Sequence, residues 1–333
     1  MYKIGIYGAT GKVGSELLKI IHIRKFPYSK IRLFASQKSS GKKLIEDKKE
    51  FIIETFYKDS FKEIDIAFFC VSGKWSIQNR QFAEESGCIV IDNSSAFRLF
   101  ENTPLIVPEI NIDSIKKSRF ISNPNCTTLI AAIPLWVLHK KYKLKKVIIS
   151  TYQAASGAGK EGMDELLQAI SQYRENRVFK PSKFQYDLAY NIIPHIDDFE
   201  INGYTKEEMK VTLEIRKIFN VSDLLISCTA VRIPVLRAHS ESITVETELK
   251  PDINEIRDLI KNTNGIVLKD DINNNIYPMP ITSSDNFDVE VGRIRKSIVF
   301  ENGIDFFVSG DQLLKGAALN ALQIAEKMVE RTV

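Results

Sequence analysis

The sequence predicts an α/β chain in two parts: a parallel sheet covered by helices, then an α+β part on a mixed, largely antiparallel sheet. Three observations carry that prediction. Apolar strand-like runs alternate with helix-like stretches over the first 125 residues. From about residue 144 the runs lengthen and fewer helices separate them. The chain also has 333 residues, more than one domain of roughly 100–200 residues usually holds.

In the first part, strands are expected at KIGIYG (3–8), KIRLFAS (30–36), EIDIAFFCVS (63–72), GCIVIDNSS (87–95) and RFISNP (119–124). GSELLKIIHIRK (14–25) and KWSIQNRQFAEESG (74–87) read as helices between them. Strands alternating with helices form βαβ units, and near-continuous apolar strands such as IDIAFF fit a sheet covered on both faces. In the second part, KKVIISTYQA, EEMKVTLEIRKIF, LISCTAVRIPVLRAHSESITVETELK and NFDVEVGRIRKSIVFENGIDFFVSGD read as the longer runs, with an antiparallel hairpin at the ENG turn (301–303). INNNIYPMPI (272–281) is a loop, and QLLKGAALNALQIAEKMVE (312–330) has the apolar spacing of a long helix.

Composition narrows the classes of function. The chain is 44% hydrophobic and 26% charged, ordinary for a globular protein. Its net charge of +4 comes from 46 basic residues scattered among 42 acidic ones, which is not the basic stripe of a nucleic-acid binder. No apolar run approaches the ~18 residues of a membrane span. MYKIGIYGATG starts directly on a strand and leaves no room for a signal peptide, so a cytoplasmic location is expected. Four cysteines without CxxC or Cys/His spacing argue against a disulfide framework or a metal site.

The first strand runs into GATGKVG, with Gly8, Gly11 and Gly14 ahead of a helix. Glycines there allow a tight turn and close approach of backbone N–H groups to a pyrophosphate, as in a Rossmann-type dinucleotide-binding domain. An NAD site usually has an Asp or Glu at the end of the second strand, for the ribose 2′-hydroxyl. Here that strand ends in Ser36, followed by Gln37, Lys38, Ser39 and Ser40, and the first carboxylate is Glu46. Hydroxyls and cations suit a 2′-phosphate, which favours NADP; the alternative is a solvated basic loop.

Cys70, Cys88 and Cys228 fall in or beside strands and are expected to be buried as small hydrophobes. Cys126 differs. Asn123-Pro124 ends the segment before it, and TTLIAAIPLWVL after it reads as a helix. A helix N-terminus lowers a thiol pKa from its usual ~8.5, so Cys126 is either a nucleophile or a structural thiol. Of the four histidines, His22 and His139 are expected at the surface, which leaves His195 and His239 as candidate bases. Arg232 and Arg237 lie close to His239 in sequence, and an arginine grips a carboxylate or phosphate with paired hydrogen bonds.

With these residues in hand, the chain resembles the bacterial aspartate-β-semialdehyde dehydrogenases. The segments that carry the resemblance are GATGKVG (8–14), FASQKSSGK (34–42), DNSSAFR (92–98), VPEIN (107–111), SNPNCTT (122–128), TYQAASGAG (151–159), NIIPHID (191–197), LEIRKI (213–218), VRIPVLRAHSE (231–241) and GDQLLKGAALNALQIAE (310–326). The resemblance implies an NADP-binding domain over 1–127, a catalytic and dimerisation domain over 128–312, and a C-terminal helix, 313–333, returning to the first. It implies Cys126 as nucleophile, His239 as general acid/base, Gln153 orienting the reacting group and Asn125 beside the acyl oxygen. Arg232 and Glu214 would hold the substrate's carboxylate and ammonium, and Arg98 and Lys217 its phosphate. The cofactor set is Gly8, Thr10, Gly11, Lys12, Val13, Gly14, Ser36, Lys38, Ser39, Ser72, Gly73, Ser156, Gly157 and Gln312. Inorganic phosphate is the implied co-substrate, aspartate semialdehyde and β-aspartyl phosphate the substrates, and a homodimer or homotetramer the assembly. Three positions depart from the family pattern: Lys38 for Arg, Ala238 for Gly and Gln312 for Asn. The rival readings are N-acetyl-γ-glutamyl-phosphate reductase, which shares the thiol chemistry, and a non-catalytic paralogue acting as an assembly protein.

Overall fold

The computed structural model describes residues 1–330, so positions 331–333 of the expected C-terminal segment lie outside the described residues. The chain divides into two compact units. One comprises Met1–Asn125 together with the tail from Ala317, and the other Cys126–Gly316.

The first unit alternates as its sequence predicts: β1 (Tyr2–Tyr7), α1 (Lys12–Ile23), β2 (Tyr28–Ala35), β3 (Lys43–Glu46), β4 (Lys49–Thr55), β5 (Ile66–Phe69), α2 (Gly73–Glu85), β6 (Ile89–Asp92), α3 (Pro108–Asn111) and β7 (Phe120–Ser122). They form one sheet in the order β3-β4-β2-β1-β5-β6-β7. Every pairing is parallel except β3 with β4. The expected strand at 63–72 is only four residues long, and all four are buried. Buried Tyr7, Phe34, Phe61 and Phe69 make an aromatic core on this sheet. Tyr7 stacks on Phe34 with ring centroids 4.7 Å apart.

The β3–β4 hairpin was not expected. Its turn is Asp47-Lys48, both left-handed at φ 47° and 61°. Two-residue hairpin turns need φ > 0, a conformation usually announced by Asn-Gly or Asp-Gly, and here charged residues carry it. The C-terminal helix, Leu319–Glu330, packs on α1, α3 and β6 of this unit. It starts later than the apolar spacing predicts, because a wide turn over Leu314–Ala318 precedes it. Arg24 and Glu326 fasten it with two parallel hydrogen bonds of 2.7 Å.

The second unit opens with α4 (Cys126–Tyr142) and continues through β8 (Leu144–Gln153), α5 (Gly159–Arg174), α6 (Lys206–Phe219), β9 (Leu225–Arg232), β10 (His239–Thr247), α7 (Ile253–Lys261), β11 (Ile266–Leu268), α8 (Pro280–Ser283), β12 (Val289–Lys296) and β13 (Gly303–Gly310). The sheet order is β11-β12-β13-β10-β8-β9. Three of its pairings are antiparallel and two, β8–β9 and β11–β12, are parallel. The β12–β13 hairpin spans the predicted ENG turn. Parallel β8 and β9 need a long crossover, and α5 and α6 lie on it.

One predicted run is corrected here. EEMKVTLEIRKIF is not strand-like; it is the helix α6. Val211, Ile215, Ile218 and Phe219 recur at helical spacing and are buried, and Thr205 with Glu208 forms a reciprocal cap at its start. Local β-branched residues lost to capping and to an apolar stripe. α4 is buried on nearly every side, so it shows no amphipathic period for sequence reasoning to detect.

Candidate active site

The first unit holds a cleft of about 500 Å³ lined by Tyr7, Gly8, Thr10, Gly11, Phe34, Ala35, Ser36, Gln37, Thr55, Phe56, Cys70, Val71, Ser72 and Trp75. It lies at the C-terminal ends of parallel strands, where α/β sheets bind their ligands. The glycine turn is built for close approach. Gly8 has φ +90°, and a Cβ there would stand 2.1 Å from the Cys70 carbonyl oxygen. A Cβ on Gly14 would stand 2.4 Å from the Gly8 carbonyl oxygen. Only glycine lets α1 start this close to the strand, leaving the N-terminus of α1 open to an anion. Lys12 and Val13 form the first turn of α1, while Ser72 caps α2 through Trp75 N–H at 3.4 Å, with Gly73 next.

No lining residue is an Asp or Glu. Ser36 and Lys38 are exposed just past β2, with Ser39 in the same short turn. The residues therefore fit a nicotinamide dinucleotide, and the end of β2 offers hydroxyls and a cation where an NAD site has a carboxylate. Cys70 was expected to be a buried core thiol. It lines the cleft instead, while burial pushes its pKa up to about 12 and keeps it a neutral thiol. Cys88 and Cys228 are buried as expected.

The second unit holds the thiol site. Cys126 is half-buried at the first position of α4. Arg232 ends β9 opposite Gln153 at the end of β8, and His239 begins β10. Register, not sequence proximity, gathers them. His239 is fully buried, and its Nδ1 accepts a hydrogen bond from the Ala154 N–H at 3.0 Å. Arg232 is also buried and donates from Nη1 to the Ala154 carbonyl at 2.6 Å. Burial pulls the Arg232 pKa down, opposed by the charges of Glu207 and of Cys126. The cation and the thiol thus lie in each other's field, and the cation favours negative charge on sulfur.

Gln153 Oε1 accepts from Thr151 Oγ1 at 3.1 Å, and its Nε2 donates to Glu207 Oε1 at 3.2 Å. Glu207 was not singled out from the sequence. It is buried near the start of α6, also faces Lys210, and offsets the charge of Arg232. Glu207, Lys210, Glu214 and Lys217 recur at helical spacing, so they share a face of α6. Glu214 is buried, and burial lowers the pKa of Lys217 while Glu214 opposes that shift.

The structure places the other expected site residues as follows. The Gln312 amide spans Ser156 and Ala238, donating to the Ser156 hydroxyl and accepting from the Ala238 N–H at 2.8 Å. Ala238 is left-handed at φ 70°, which explains why glycine suits the position. Gly157 packs against Arg232 and His239, where a Cβ would stand 2.6 Å from Nη1 and 3.1 Å from Nε2. Arg237 does not face a free anion site, because Asp311 and Asp285 pair with it at 2.6 and 3.0 Å. In the first unit, Arg98 is buried and donates to the Asn93 and Asn123 carbonyls at 2.8 and 2.9 Å, and Asn125 is buried beside Cys126 in the chain. His195 is stacked on Phe199 with ring centroids 4.3 Å apart. His22 and His139 are half-buried rather than surface residues: one bridges the Leu18 carbonyl and the Tyr28 hydroxyl, the other stacks on Trp136.

Comparison with known proteins decides the family. A model of "Semialdehyde dehydrogenase, NAD binding domain" matches residues 3–118, and one of "Semialdehyde dehydrogenase, dimerisation domain" matches 135–315. The aspartate-semialdehyde dehydrogenase of Aquifex aeolicus is 43% identical over 334 residues, covering 99% of this chain and 98% of the relative. The chain belongs to the aspartate-semialdehyde dehydrogenase family. The Bacillus subtilis enzyme of that name is 40% identical over 334 residues, covering 98% of this chain and 96% of the relative. Aspartate semialdehyde dehydrogenase II from Vibrio cholerae, crystallised in complex with ASA, matches the fold with a TM-score of 0.96 at 35% identity, covering 99% of this chain and 98% of that one.

Membership in the aspartate-semialdehyde dehydrogenase family makes the chain an oxidoreductase acting on an aldehyde, with a nicotinamide-dinucleotide-binding domain and a domain that supports oligomerisation. The aromatic-lined cleft lies within the matched NAD binding domain, and Gln153, Arg232 and His239 lie within the matched dimerisation domain. No helix among the described residues is long and apolar enough to cross a membrane.

Proposed function

We propose that the chain is an NADP-dependent, phosphorylating aspartate-semialdehyde dehydrogenase that works through a thioester on Cys126. The observation that carries this reading is the pairing of Cys126, at the head of α4, with the buried cation Arg232 beside His239. A thiol held in a cationic field at a helix N-terminus is an activated nucleophile.

Each proposed role follows from chemistry already described. Cys126 attacks the acyl carbon, and Gln153, fixed by Thr151 and Glu207, orients the group that Cys126 holds. Arg232 and Glu214 match the carboxylate and ammonium of an α-amino acid, while Lys217 and Arg98 supply cations for phosphate. A bound reduced nicotinamide supplies the hydride. Preference for NADP is supported by the absence of Asp and Glu from the cleft lining and by Ser36, Lys38 and Ser39 past β2. In the biosynthetic direction the enzyme reduces β-aspartyl phosphate towards lysine, diaminopimelate, threonine and methionine. A homodimer or homotetramer is the proposed assembly.

The test is spectrophotometric. Purified protein given aspartate semialdehyde and phosphate should reduce NADP faster than NAD, and N-acetyl-glutamate semialdehyde should not replace the substrate. Cys126→Ala should abolish turnover while keeping the melting temperature within a few degrees. Full activity in that variant sinks the thioester mechanism, and equal rates with NAD sink the cofactor preference.

A further inference from the structure

Within the reading of Cys126 as nucleophile, the geometry points to a narrower role for His239 than acid/base catalysis. We propose that His239 works as a permanently neutral imidazole, whose Nε2–H donates a hydrogen bond to the oxygen of the acyl group on Cys126.

The far side of the ring fixes its tautomer. The Ala154 N–H donates to Nδ1 at 3.0 Å. A backbone N–H cannot accept, so Nδ1 must present its lone pair, and the ring proton of the neutral form sits on Nε2. A second proton could go only to Nδ1, where it would face the Ala154 N–H donor head-on and break the bond that fixes the ring. The surroundings oppose that proton as well. His239 is fully buried, and the nearest charge is the guanidinium of Arg232. Arg232 Nη1 and His239 Nε2 both converge on the point where a Gly157 Cβ would stand. Other ionisable groups near it include Glu207 from α6, which is engaged by Gln153 and opposes the shift at Arg232; Cys126 from α4, which does the same; Glu241 on β10, kept neutral by burial; and the buried Lys315, next to Gly316, whose Cβ would stand 3.1 Å from Cys126. Burial and Arg232 together hold the imidazole pKa well below its usual range, outweighing a backbone hydrogen bond at Ala238 that raises it. At Nε2 the opposite holds: this buried atom has no hydrogen-bond partner among the described residues. An unused donor in a buried site is an oxyanion-stabilising group awaiting its acceptor.

The reaction needs such a donor twice and an acid at the acyl oxygen not at all. Thiolate attack forms the S–C bond and moves the carbonyl pair onto oxygen; the pair returns as the C–O bond to phosphate breaks, and phosphate takes its proton from water. The thioester carbon would next take the hydride that a bound reduced nicotinamide would supply, and the pair would again move onto oxygen. When it returns, the C–S bond breaks and Cys126 leaves as thiolate. Oxygen gains and loses negative charge in both stages without acquiring a proton. A neutral imidazole can polarise a carbonyl in this way.

The experiment uses the full chain labelled with ¹⁵N-histidine. Long-range ¹H–¹⁵N spectra are recorded between about pH 5.5 and 9, which brackets the range where free imidazole titrates. Of the four histidine spin systems, the one missing from His239→Gln is assigned to His239. It should stay the Nε2–H tautomer across the range. Titration near the ordinary histidine pKa, or an Nδ1–H tautomer, overturns the proposal. This measurement needs no substrate, so it is decided separately from the question of which aldehyde the enzyme uses. Kinetics supply the second arm. Gln keeps an N–H donor near the Nε2 position, whereas Asn can accept from Ala154 but cannot reach with a donor. His239→Asn should lose about 10²–10³-fold in kcat, the usual cost of one oxyanion donor, and His239→Gln clearly less. Equal losses overturn the proposal, because neither amide ionises and an acid/base group would be missed equally in both.

Discussion

Gly157→Ala isolates the contact between the loop after β8 and the buried cation. The new Cβ would stand 2.6 Å from Arg232 Nη1 and 3.1 Å from His239 Cε1 and Nε2. Gly157 is not among the left-handed residues, so alanine brings no backbone strain and the effect is steric alone. The methyl falls about 1 Å short of ordinary contact with Arg232, and a long flexible side chain yields more readily than a ring pinned by Ala154. Arg232 Nη1 then loses its 2.6 Å bond to the Ala154 carbonyl. A hydrogen bond from a charged group contributes about 1.5–3 kcal/mol, which corresponds to roughly 10–150-fold in an equilibrium constant. If Arg232 holds the substrate carboxylate, that loss appears as a raised KM for aspartate semialdehyde, with a smaller change in kcat. Steady-state kinetics with each substrate varied in turn, together with a thermal melt, make the assay. The melting temperature should fall by less than about 10 °C, because the loss is confined to one hydrogen bond at the end of one side chain. An unchanged KM for the aldehyde in a folded variant refutes the assignment of Arg232. A rise confined to the cofactor KM refutes it too, and returns Gly157 to the cofactor role that resemblance gives it.

Three further outcomes are expected. Gly14→Ala places a Cβ 2.4 Å from the Gly8 carbonyl oxygen and must push α1 off the strand, so nucleotide should no longer raise the melting temperature; retention of that stabilisation would show that the cleft binds elsewhere. Asp311 is fully buried and accepts from Arg237 Nε, from the Asp285 N–H and from the Leu313 and Leu314 N–H groups. Asp311→Asn sets a donor against Arg237, and breaking a buried ion pair costs about 3–5 kcal/mol, or on the order of 10 °C in melting temperature. A loss under about 1 kcal/mol contradicts the pairing. Glu241 is fully buried, neither carboxylate oxygen has a hydrogen-bond partner among the described residues, and burial raises its pKa well above the usual carboxylate range. The folded chain therefore keeps a proton that the unfolded chain releases above about pH 4.3, so this group makes stability fall as pH rises from there towards its folded pKa. Glu241→Leu should raise the melting temperature, by more at pH 8 than at pH 5, and a gap that fails to widen contradicts a buried neutral acid.

The glycine turn was legible in the sequence because most of its need is local: a positive φ at Gly8 and the close approach of Gly14 to the Gly8 carbonyl lie within seven residues, and only the approach of Gly8 to Cys70 is long-range. The position of Cys126 was legible for the same reason, since Asn123-Pro124 and the apolar run after it mark a helix start. The β3–β4 hairpin was not, because Asp47 and Lys48 adopt a turn that their side chains do not advertise. α6 reads as a strand from sequence because Val211, Thr212 and Ile215 prefer strands, and Thr205, the N-cap whose reciprocal bond with Glu208 overrules them, lies outside the run.

The neighbours of Cys126 were hidden for a different reason. Gln153 meets Arg232 only because β8 and β9 pair in parallel with those residues in register, across a crossover of more than seventy positions. Ala154 reaches His239 only because β10 runs antiparallel on the other side of β8. A backbone N–H has no signature in sequence, since every residue but proline carries one. Yet that N–H fixes which nitrogen of His239 bears the proton, and so whether the ring acts by giving up charge or by remaining neutral. Motif matching can name the histidine, because the histidine is a residue type. Its chemistry depends on a register and on a main-chain group, and those are properties of the fold. The same distinction holds for Gln312: its identity departs from the family pattern, but its two hydrogen bonds tie Ser156 to Ala238 and so brace the loop that carries Gly157 against the strand that begins at His239.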